Sequence, residues 1–486
     1  MSRKKTLNVW LLTALVVGNM IGSAIFMLPR TLAETASPAG TLLAWGMTGC
    51  GVLFIAMVYG ILTERKPELT GGPQVYAKAL FPAESERARL MGYFVTWGYS
   101  IANFVGNVAV ITTFSGYLAT FFPILSSQAV LPLPGIPLTW GHLLNFLVCS
   151  SLLWFIYWLI LKGVEGAGRI NFVATCAKVI GFVLFIAAAL FVFQVSHLIP
   201  FTVITLDGGH PGLLEQAGSA AVMMLWAFIG VESAVAFSAR AKSRRAIKWA
   251  TIGGLLLTLM IYIAITLLVM GALPRHELLL SSKPLVDALA KIIGAPGAYI
   301  LGFLALISLF GSSIGWIMLS AEIPYQAARQ GYFFRVMAVT NHHGTPSRSL
   351  FLTCLIGQFF ILSTLLRSIS DAFDFVSTVA TLSYLVPYIF AAVYLIKLVL
   401  SGEGYEHQPG QRVKDGLIGT IAAVYTLWVI KAGTGDAYTF WTGIGMILSG
   451  ILFYPLIPRS GFKKQTARDG DAQSKETVHD SRNSAN

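Results

Sequence analysis

The chain has 486 residues, 55% of them hydrophobic and 12% charged, with a mean hydropathy of +0.70. Soluble domains carry roughly 25% charged residues, so a water-facing globule of this length is excluded, and the apolar content excludes a disordered or collagen-like chain. The net charge of +12 would suit nucleic acid on a polar chain; on an apolar one it reads as loops obeying the positive-inside bias.

A helix crossing the hydrocarbon core needs roughly 20 mainly apolar residues and a barrel strand about 10 alternating ones. The apolar runs here are long and continuous, which predicts twelve helical spans at 8–29, 39–63, 90–122, 140–161, 169–194, 216–239, 247–272, 297–323, 348–366, 373–399, 415–433 and 437–457. Twelve spans put both termini on one side. With the N-terminus in the cytoplasm, the 34 Lys and Arg residues divide as 27 inside, 6 outside and 1 within a span. The inside set includes Arg3, Lys4, Lys5, Arg65, Lys66, Arg87, Arg89, Arg240, Lys242, Arg244, Arg245, Lys248, Lys463, Lys464 and Arg468; the outside set is Arg30, Arg275, Lys283, Lys291, Arg367 and Lys431. The reverse orientation inverts the bias, so cytoplasmic termini are expected.

The first apolar stretch is longer than a signal-peptide core and lacks an A-x-A cleavage pattern, so it is read as a retained span. Cys50, Cys149, Cys176 and Cys354 all fall inside spans, which suits small buried hydrophobes better than a disulfide framework or a zinc site. From about Arg459 to Asn486 the chain is polar and charge-mixed, and a disordered cytoplasmic tail is expected.

Two spans carry helix-weakening residues at their centre: Gly18-Asn19-Met20-Ile21-Gly22-Ser23-Ala24 in span 1 and Trp226 to Ser233, with Gly230, in span 6. Irregular backbone is tolerated at membrane depth only where it lines a cavity or is buried in protein. Paired breaks five spans apart fit a five-plus-five inverted repeat; the blander reading is close helix packing on small residues. Glu232 is the one acid near the middle of a span, and Lys178, in span 5, is its one basic counterpart. Deep charge costs about 2.5–3.5 kcal/mol on insertion scales, so the two either pair with each other or serve separately, Glu232 as gate or proton carrier and Lys178 in place of a bound cation. Trp226 beside the span-6 break and Trp316 among Gly311, Ser312, Ser313 and Gly315 are deep indoles suited to cation–π contact, whereas Trp154, Trp158 and Trp441 suit interfacial anchors.

Gly18 to Phe26 followed by Leu28-Pro29, then Trp226 to Ser233, then Gly344-Thr345-Pro346 resemble the amino acid–polyamine–organocation transporters, over roughly residues 8–457. Ala321-Glu322-Ile323-Pro324-Tyr325 and Pro387-Tyr388 resemble the basic amino acid antiporters, in particular the arginine/ornithine branch. The resemblance implies an all-α integral membrane protein of the LeuT type. In that organisation residues 1–7 are a cytoplasmic N-terminus, 8–194 the first repeat, 195–399 the second, 400–457 spans 11 and 12, and 458–486 the tail. It also implies roles. The N–H groups at Ser23 and Ala24, past Gly22, hold the α-carboxylate; carbonyls at Met20, Trp226 and Ile229 accept from the α-ammonium. Trp316 stacks on the side-chain cation, while Asn107, the carbonyls near Ala102 and Asn103, and Thr378 bond its end. Trp226 closes the outer side and Glu232 couples closure to charge. Tyr99, Tyr76 and Tyr388 match tyrosines of the family, as gates or as packing. Three positions depart from the pattern: Ala24 replaces the usual last glycine, Thr378 stands where the arginine/agmatine relative has serine, and Lys178 has no charged equivalent there, although some proton-coupled members carry a lysine at the sodium position.

The resulting expectation is a secondary exchanger of basic amino acids in the bacterial inner membrane, needing no cofactor, metal or nucleic acid, with spans 11 and 12 able to mediate a homodimer. A proton-coupled symporter is the rival that Lys178 favours. A membrane enzyme lacks support in paired carboxylates, a His cluster within a span or a nucleophile elbow; His342 and His343 are adjacent in a loop and read as a solvated pair rather than a metal site.

Overall fold

The structure, a computed structural model, describes residues 7–69, 72–83, 85–131, 138–204, 209–236, 241–281, 283–365, 369–406, 408–433 and 437–457. Arg3, Lys4, Lys5, Arg240, Arg367, Lys463, Lys464, Arg468 and the expected tail lie outside the described residues. Among the described residues ten helices are long and apolar enough to cross a membrane, and two shorter apolar helices, Ser347–Ile361 and Phe440–Leu456, complete the twelve expected spans.

Span 1 is Val9–Met20 followed by Ala24–Thr35; span 2 is Pro38–Arg65, span 3 Glu86–Leu118, span 4 Trp140–Leu161 and span 5 Val164–Ala189. Span 6 is Leu213–Phe228 followed by Ser233–Ala236, span 7 Arg244–Ala272, span 8 Pro284–Arg329, span 9 Ser347–Ile361, span 10 Ile369–Ser401, span 11 Pro409–Gly433 and span 12 Ala437–Leu448 with the turn Gly450–Phe453.

Polar caps, rather than the edges of the apolar runs, set several starts. Ser85 Oγ accepts from Ala88 N at 3.0 Å and Ser243 Oγ from Ala246 N at 3.2 Å, so span 3 begins four residues before its apolar run and span 7 three before. Asn8, Ser37 and Thr139 cap spans 1, 2 and 4 in the same way. Span 8 is also longer than its apolar core. Its 46 residues bend at Ile293 and Gly294, where Gly294 has φ +72°, and the expected 297–323 lies beyond that bend.

Burial sorts the spans into centre and rim. The most apolar stretches of spans 1, 3 and 6 are 89%, 83% and 83% buried, against 33% for spans 4 and 8. The broken helices are therefore enclosed by protein, which is where unpaired backbone is tolerated. Small residues allow the close approaches: a methyl at Gly311 on span 8 would meet Ala174 Cβ at 2.3 Å, and one at Gly254 on span 7 would meet Val16 at 2.8 Å. At the rim Trp158 and Trp441 are exposed, with Lys162 Nζ 3.6 Å above the Trp158 ring. Trp154 instead donates to Gln358 Oε1 at 3.1 Å and ties span 4 to span 9. Cys149 and Cys354 are buried, whereas Cys50 and Cys176 are exposed on the bundle's outer side.

Candidate functional site

Helical hydrogen bonding in span 1 ends at Met20. Ile21 N still reaches Val17 O at 2.8 Å, Gly22 N turns back to Met20 O at 2.7 Å, and the helix resumes at Ala24. The opening N–H groups of a helix have no partner within it. Those of Ser23, Ala24 and Ile25 donate no hydrogen bond among the described residues, and they carry the positive end of the helix dipole. In span 6, Ile229 is extended and Gly230 has φ +107°. A methyl at Gly230 would stand 2.9 Å from Asn19 Cβ and 3.1 Å from Met20 N. The two breaks thus lie directly against each other, and glycine is demanded both by conformation and by space.

Three further contacts hold the breaks in place. Asn19 Nδ2 donates to Ser233 Oγ at 2.8 Å. Trp316 Nε1 donates to Asn19 O at 2.9 Å. The Tyr262 hydroxyl of span 7 lies 2.5 Å from Met20 O and 3.0 Å from Ala227 O, sharing one proton between the breaks. These bonds decide which carbonyls remain open. Met20 O is engaged twice over, and Trp226 O accepts from Ile229 N at 3.2 Å; of the three expected ammonium acceptors only the Ile229 carbonyl has no partner among the described residues. Ala102 and Asn103 lie buried within unbroken span 3, so each of their carbonyls accepts within the helix and keeps one further lone pair.

The indoles of Trp226 and Trp316 stack with centroids 5.8 Å apart and planes 26° from parallel. They cover Gly106 of span 3, where a methyl would meet them at 3.1 and 3.7 Å. Trp316 also lies beside the span-1 break, since a methyl at Gly22 would stand 3.4 Å from its Nε1. Asn107 Nδ2 donates to Ser320 Oγ at 2.9 Å, Ser320 Oγ donates to Trp316 O at 2.7 Å, and Asn103 Nδ2 donates to Tyr99 O at 2.6 Å. Asn107 Oδ1, Ser23 Oγ and Trp226 Nε1 are buried without a protein partner. Each such group costs about 1–3 kcal/mol unless something completes it. Thr378 is half-buried with its hydroxyl 3.7 Å from Met223 Sδ of span 6.

Glu232 is fully buried. Its Oε1 accepts from the Tyr99 hydroxyl at 2.7 Å, and its Oε2 accepts from Tyr388 at 2.7 Å and from Gly230 N at 3.1 Å. Aromatic edges radiate from this carboxylate. Tyr384 lies 5.1 Å from Tyr99 and 6.0 Å from Trp316, Tyr59 lies 6.0 Å from Tyr388, and Tyr76 lies 6.2 Å from Tyr59 and stacks on Tyr394 at 6.0 Å. Tyr76 sits outside the spans on the loop helix Gln74–Lys78, and burial pushes its phenol up to about 12.

Lys178 has entirely different partners. Its Nζ donates to Gly18 O at 3.0 Å, to Ser312 Oγ at 2.6 Å and to Ile21 O. Two carbonyls of the span-1 break and a span-8 hydroxyl form the kind of oxygen cage that suits a monovalent cation, with the ammonium at its centre. Lys178 and Glu232 thus share no partner and do not pair with each other.

A family model described as amino acid permease matches residues 7–457. The chain belongs to the amino acid permease family. The permease is 34% identical over 453 residues to an arginine/ornithine antiporter of Pseudomonas aeruginosa, covering 91% of this chain and 88% of that protein. It is 32% identical over 455 residues to an arginine/agmatine antiporter of Chlamydia abortus, covering 93% and 89%. A Bacillus subtilis protein provisionally named an arginine/ornithine antiporter is 47% identical over 471 residues, 96% of this chain and 100% of its own length. This is a membrane-embedded transporter and not an enzyme.

The permease also uses residues the sequence did not single out. Tyr262 is a lone tyrosine in an apolar run, and Ser320 and Tyr384 look like ordinary span residues; none carries a local signal. Buried acids lie nearer the ends of spans as well: Glu322 accepts from Gln326 Nε2 at 2.5 Å, and Asp415 accepts from Arg65 at 3.3 Å and Tyr405 at 2.9 Å.

Proposed function

We propose that this permease exchanges basic amino acids, arginine against ornithine or a similar pair, by alternating access, with both termini in the cytoplasm. The observation that carries the reading is the meeting of opposite chemistries at one buried point. Unpaired N–H groups at Ser23, Ala24 and Ile25 suit a carboxylate, the open Ile229 carbonyl suits an ammonium, and the indole of Trp316, next to Gly22, suits a side-chain cation. A basic amino acid presents those three groups in that order. Trp226 stands over Trp316 as the gate, and Tyr99, Tyr388 and Glu232 form a second closure around the span-6 break. The relatives named for arginine/ornithine exchange at 34% to 47% identity over nearly the full chain support the substrate class.

Counterflow in proteoliposomes tests this. Labelled arginine should accumulate only when arginine or ornithine is inside; uptake indifferent to internal substrate would overturn exchange. Trp316→Leu should weaken arginine binding about 5- to 30-fold, the loss of a desolvated cation–π contact of roughly 1–2 kcal/mol, while a neutral competitor is unaffected. The oxygen cage around Lys178 favours a second reading, in which a proton on Lys178 takes the place of a coupling cation. Uptake into empty liposomes driven by an imposed pH gradient would favour that symport over pure exchange.

A further inference from the structure

Ser320 sits one helical turn beyond Trp316, fully buried where spans 3 and 8 meet. A hydroxyl has a single proton to give and two lone pairs with which to receive. That proton is committed. Trp316 O lies 2.7 Å from Ser320 Oγ, the back-bond a serine makes to the carbonyl four residues before it, whereas the other acceptor in reach, Asn103 Oδ1, is 3.5 Å away. Toward Asn107, Ser320 can therefore only accept.

The orientation of an amide follows from its hydrogen-bond partners, since its oxygen accepts, its nitrogen donates and the two have the same shape. At 2.9 Å from an Oγ that can only accept, Asn107 must turn its Nδ2 to span 8. Its oxygen is left as the free end. Asn103 is fixed independently: its partner at 2.6 Å is the carbonyl of Tyr99, so it too spends its nitrogen on the protein and keeps its oxygen beside Ser320. Two amide oxygens thus stand on consecutive turns of span 3. Asn107 Oδ1 is buried with no partner among the described residues, and such an acceptor is costly until a donor completes it. Asn107 directly follows Gly106, the residue covered by the Trp226 and Trp316 indoles. The Tyr384 hydroxyl is also buried and unpartnered, on a ring set edge-on to Trp316. A phenol both donates and accepts, so Tyr384 adapts to either kind of ligand group and the amides do not.

We propose that Ser320 sets the preference for basic side chains by holding Asn107 with its oxygen free, so that the amides offer acceptors and no donor to the end of the substrate. The proposal rests on the reading that Trp316 and Asn107 receive a basic side chain. A guanidinium or an ammonium carries only donors and satisfies such a pocket. The neutral ureido group of citrulline matches the guanidinium of arginine except that one nitrogen is replaced by a carbonyl oxygen. That oxygen needs a donor, which Asn107 cannot turn to supply. Ser320 is a positioning residue here, acting through Asn107, and it adds a hydrogen-bond filter to the cation–π selection made by Trp316.

The test measures affinities for arginine and citrulline on the full-length permease in proteoliposomes, by displacement of labelled arginine. The proteins are wild type, Ser320→Ala, Ser320→Thr, Asn107→Leu and the double variant Ser320→Ala/Asn107→Leu. Ser320→Ala frees the Asn107 amide to present either end, so citrulline should gain and arginine lose. The preference for arginine should fall about 5- to 10-fold, the worth of one net hydrogen bond. Ser320→Thr, which retains the hydroxyl and its back-bond, should keep the wild-type preference. With no amide left to orient in Asn107→Leu, adding Ser320→Ala should not move the preference further. A serine that merely supports packing would instead shift both affinities together, and in either background. An unchanged preference in Ser320→Ala, an equal fall in the Asn107→Leu background, or a Ser320→Thr variant that discriminates no better than Ser320→Ala overturns the role of Ser320 and leaves the basic-substrate reading standing. A wild type that binds citrulline as tightly as arginine overturns that reading, and the proposal with it. If Ser320→Ala does not fold, Ser320→Cys, whose thiol is a weak donor and acceptor, replaces it with the same expected fall and the same overturning result.

Discussion

The two deep titratable residues are held in opposite ways. Lys178 is gripped by two backbone carbonyls and one serine of its neighbours, groups fixed by the helices that carry them. Glu232 is gripped mainly by phenols at the ends of long side chains from spans 3 and 10. The first arrangement resembles a binding cage and stays in place when its occupant changes. The second is a latch, because swinging a phenol away costs a hydrogen bond of roughly 1.5–3 kcal/mol to a charged acceptor and no backbone rearrangement. Under the proposed alternating-access reading, the first would report occupancy between spans 1, 5 and 8 and the second would be the closure that opens around spans 3, 6 and 10.

Emptying the cage should have the largest effect on transport. Lys178→Met removes the ammonium and leaves the Gly18 and Ile21 carbonyls without that donor. The lost hydrogen bonds are offset by relief of a buried cation, whose desolvation costs several kcal/mol. Stability should therefore change little while uptake falls a hundredfold or more; a melting temperature that collapses together with uptake would show that the cage is structural. Breaking the latch should show the converse balance. Glu232→Leu leaves Tyr99, Tyr388 and Gly230 N without an acceptor at about 1–3 kcal/mol each, which should lower the melting temperature clearly. Glu232→Gln, still able to accept through its oxygen, should recover about half of that loss. Equal melting temperatures for the two variants would sink the latch.

Tyr262 offers a smaller test, because it binds the breaks without touching either titratable group. Tyr262→Phe should cost about 0.5–1.5 kcal/mol, one net hydrogen bond. It should also free Met20 O, so that arginine affinity holds steady or rises slightly while the unfolding midpoint drops by a few degrees. A tenfold loss of affinity would mean that Tyr262 contributes to the site directly.

Much of this architecture was legible in the residues because it rests on signals that are local in the chain. Apolar run length gave twelve spans, and the Gly-Asn-Met-Ile-Gly-Ser and Phe-Ile-Gly-Val-Glu segments marked both breaks. The rest depends on proximity between distant segments. Nothing near Tyr262 or Ser320 distinguishes them from packing residues, and the occupancy of the Met20 carbonyl is settled by a tyrosine 242 positions away. The bond from Asn107 to Ser320, 213 positions apart, is equally invisible without the helices in place. Span starts were missed for a different reason, since a serine cap at Ser85 or Ser243 outranks the hydropathy edge that a window detects.

The smallest expected effect concerns Tyr76, toward the outer end of the aromatic series that begins at the latch. Its hydroxyl is buried without a hydrogen-bond partner, and burial holds its pKa at about 12, above the ordinary phenol value of 10.0. A phenol so placed stays neutral in the folded permease throughout the physiological range. Because its folded pKa is raised, its contribution to stability is fully present below pH 10 and is lost only as pH climbs from about 10 toward 12. Tyr76→Phe should thus leave the transport–pH profile between 5 and 9 unchanged and should stabilise the fold slightly by removing an unpaired hydroxyl. A shifted profile in that window would place a titrating phenol at Tyr76 and move the pH response from the cage to the aromatic series, reversing the assignment of roles on which the comparison of the two regions depends.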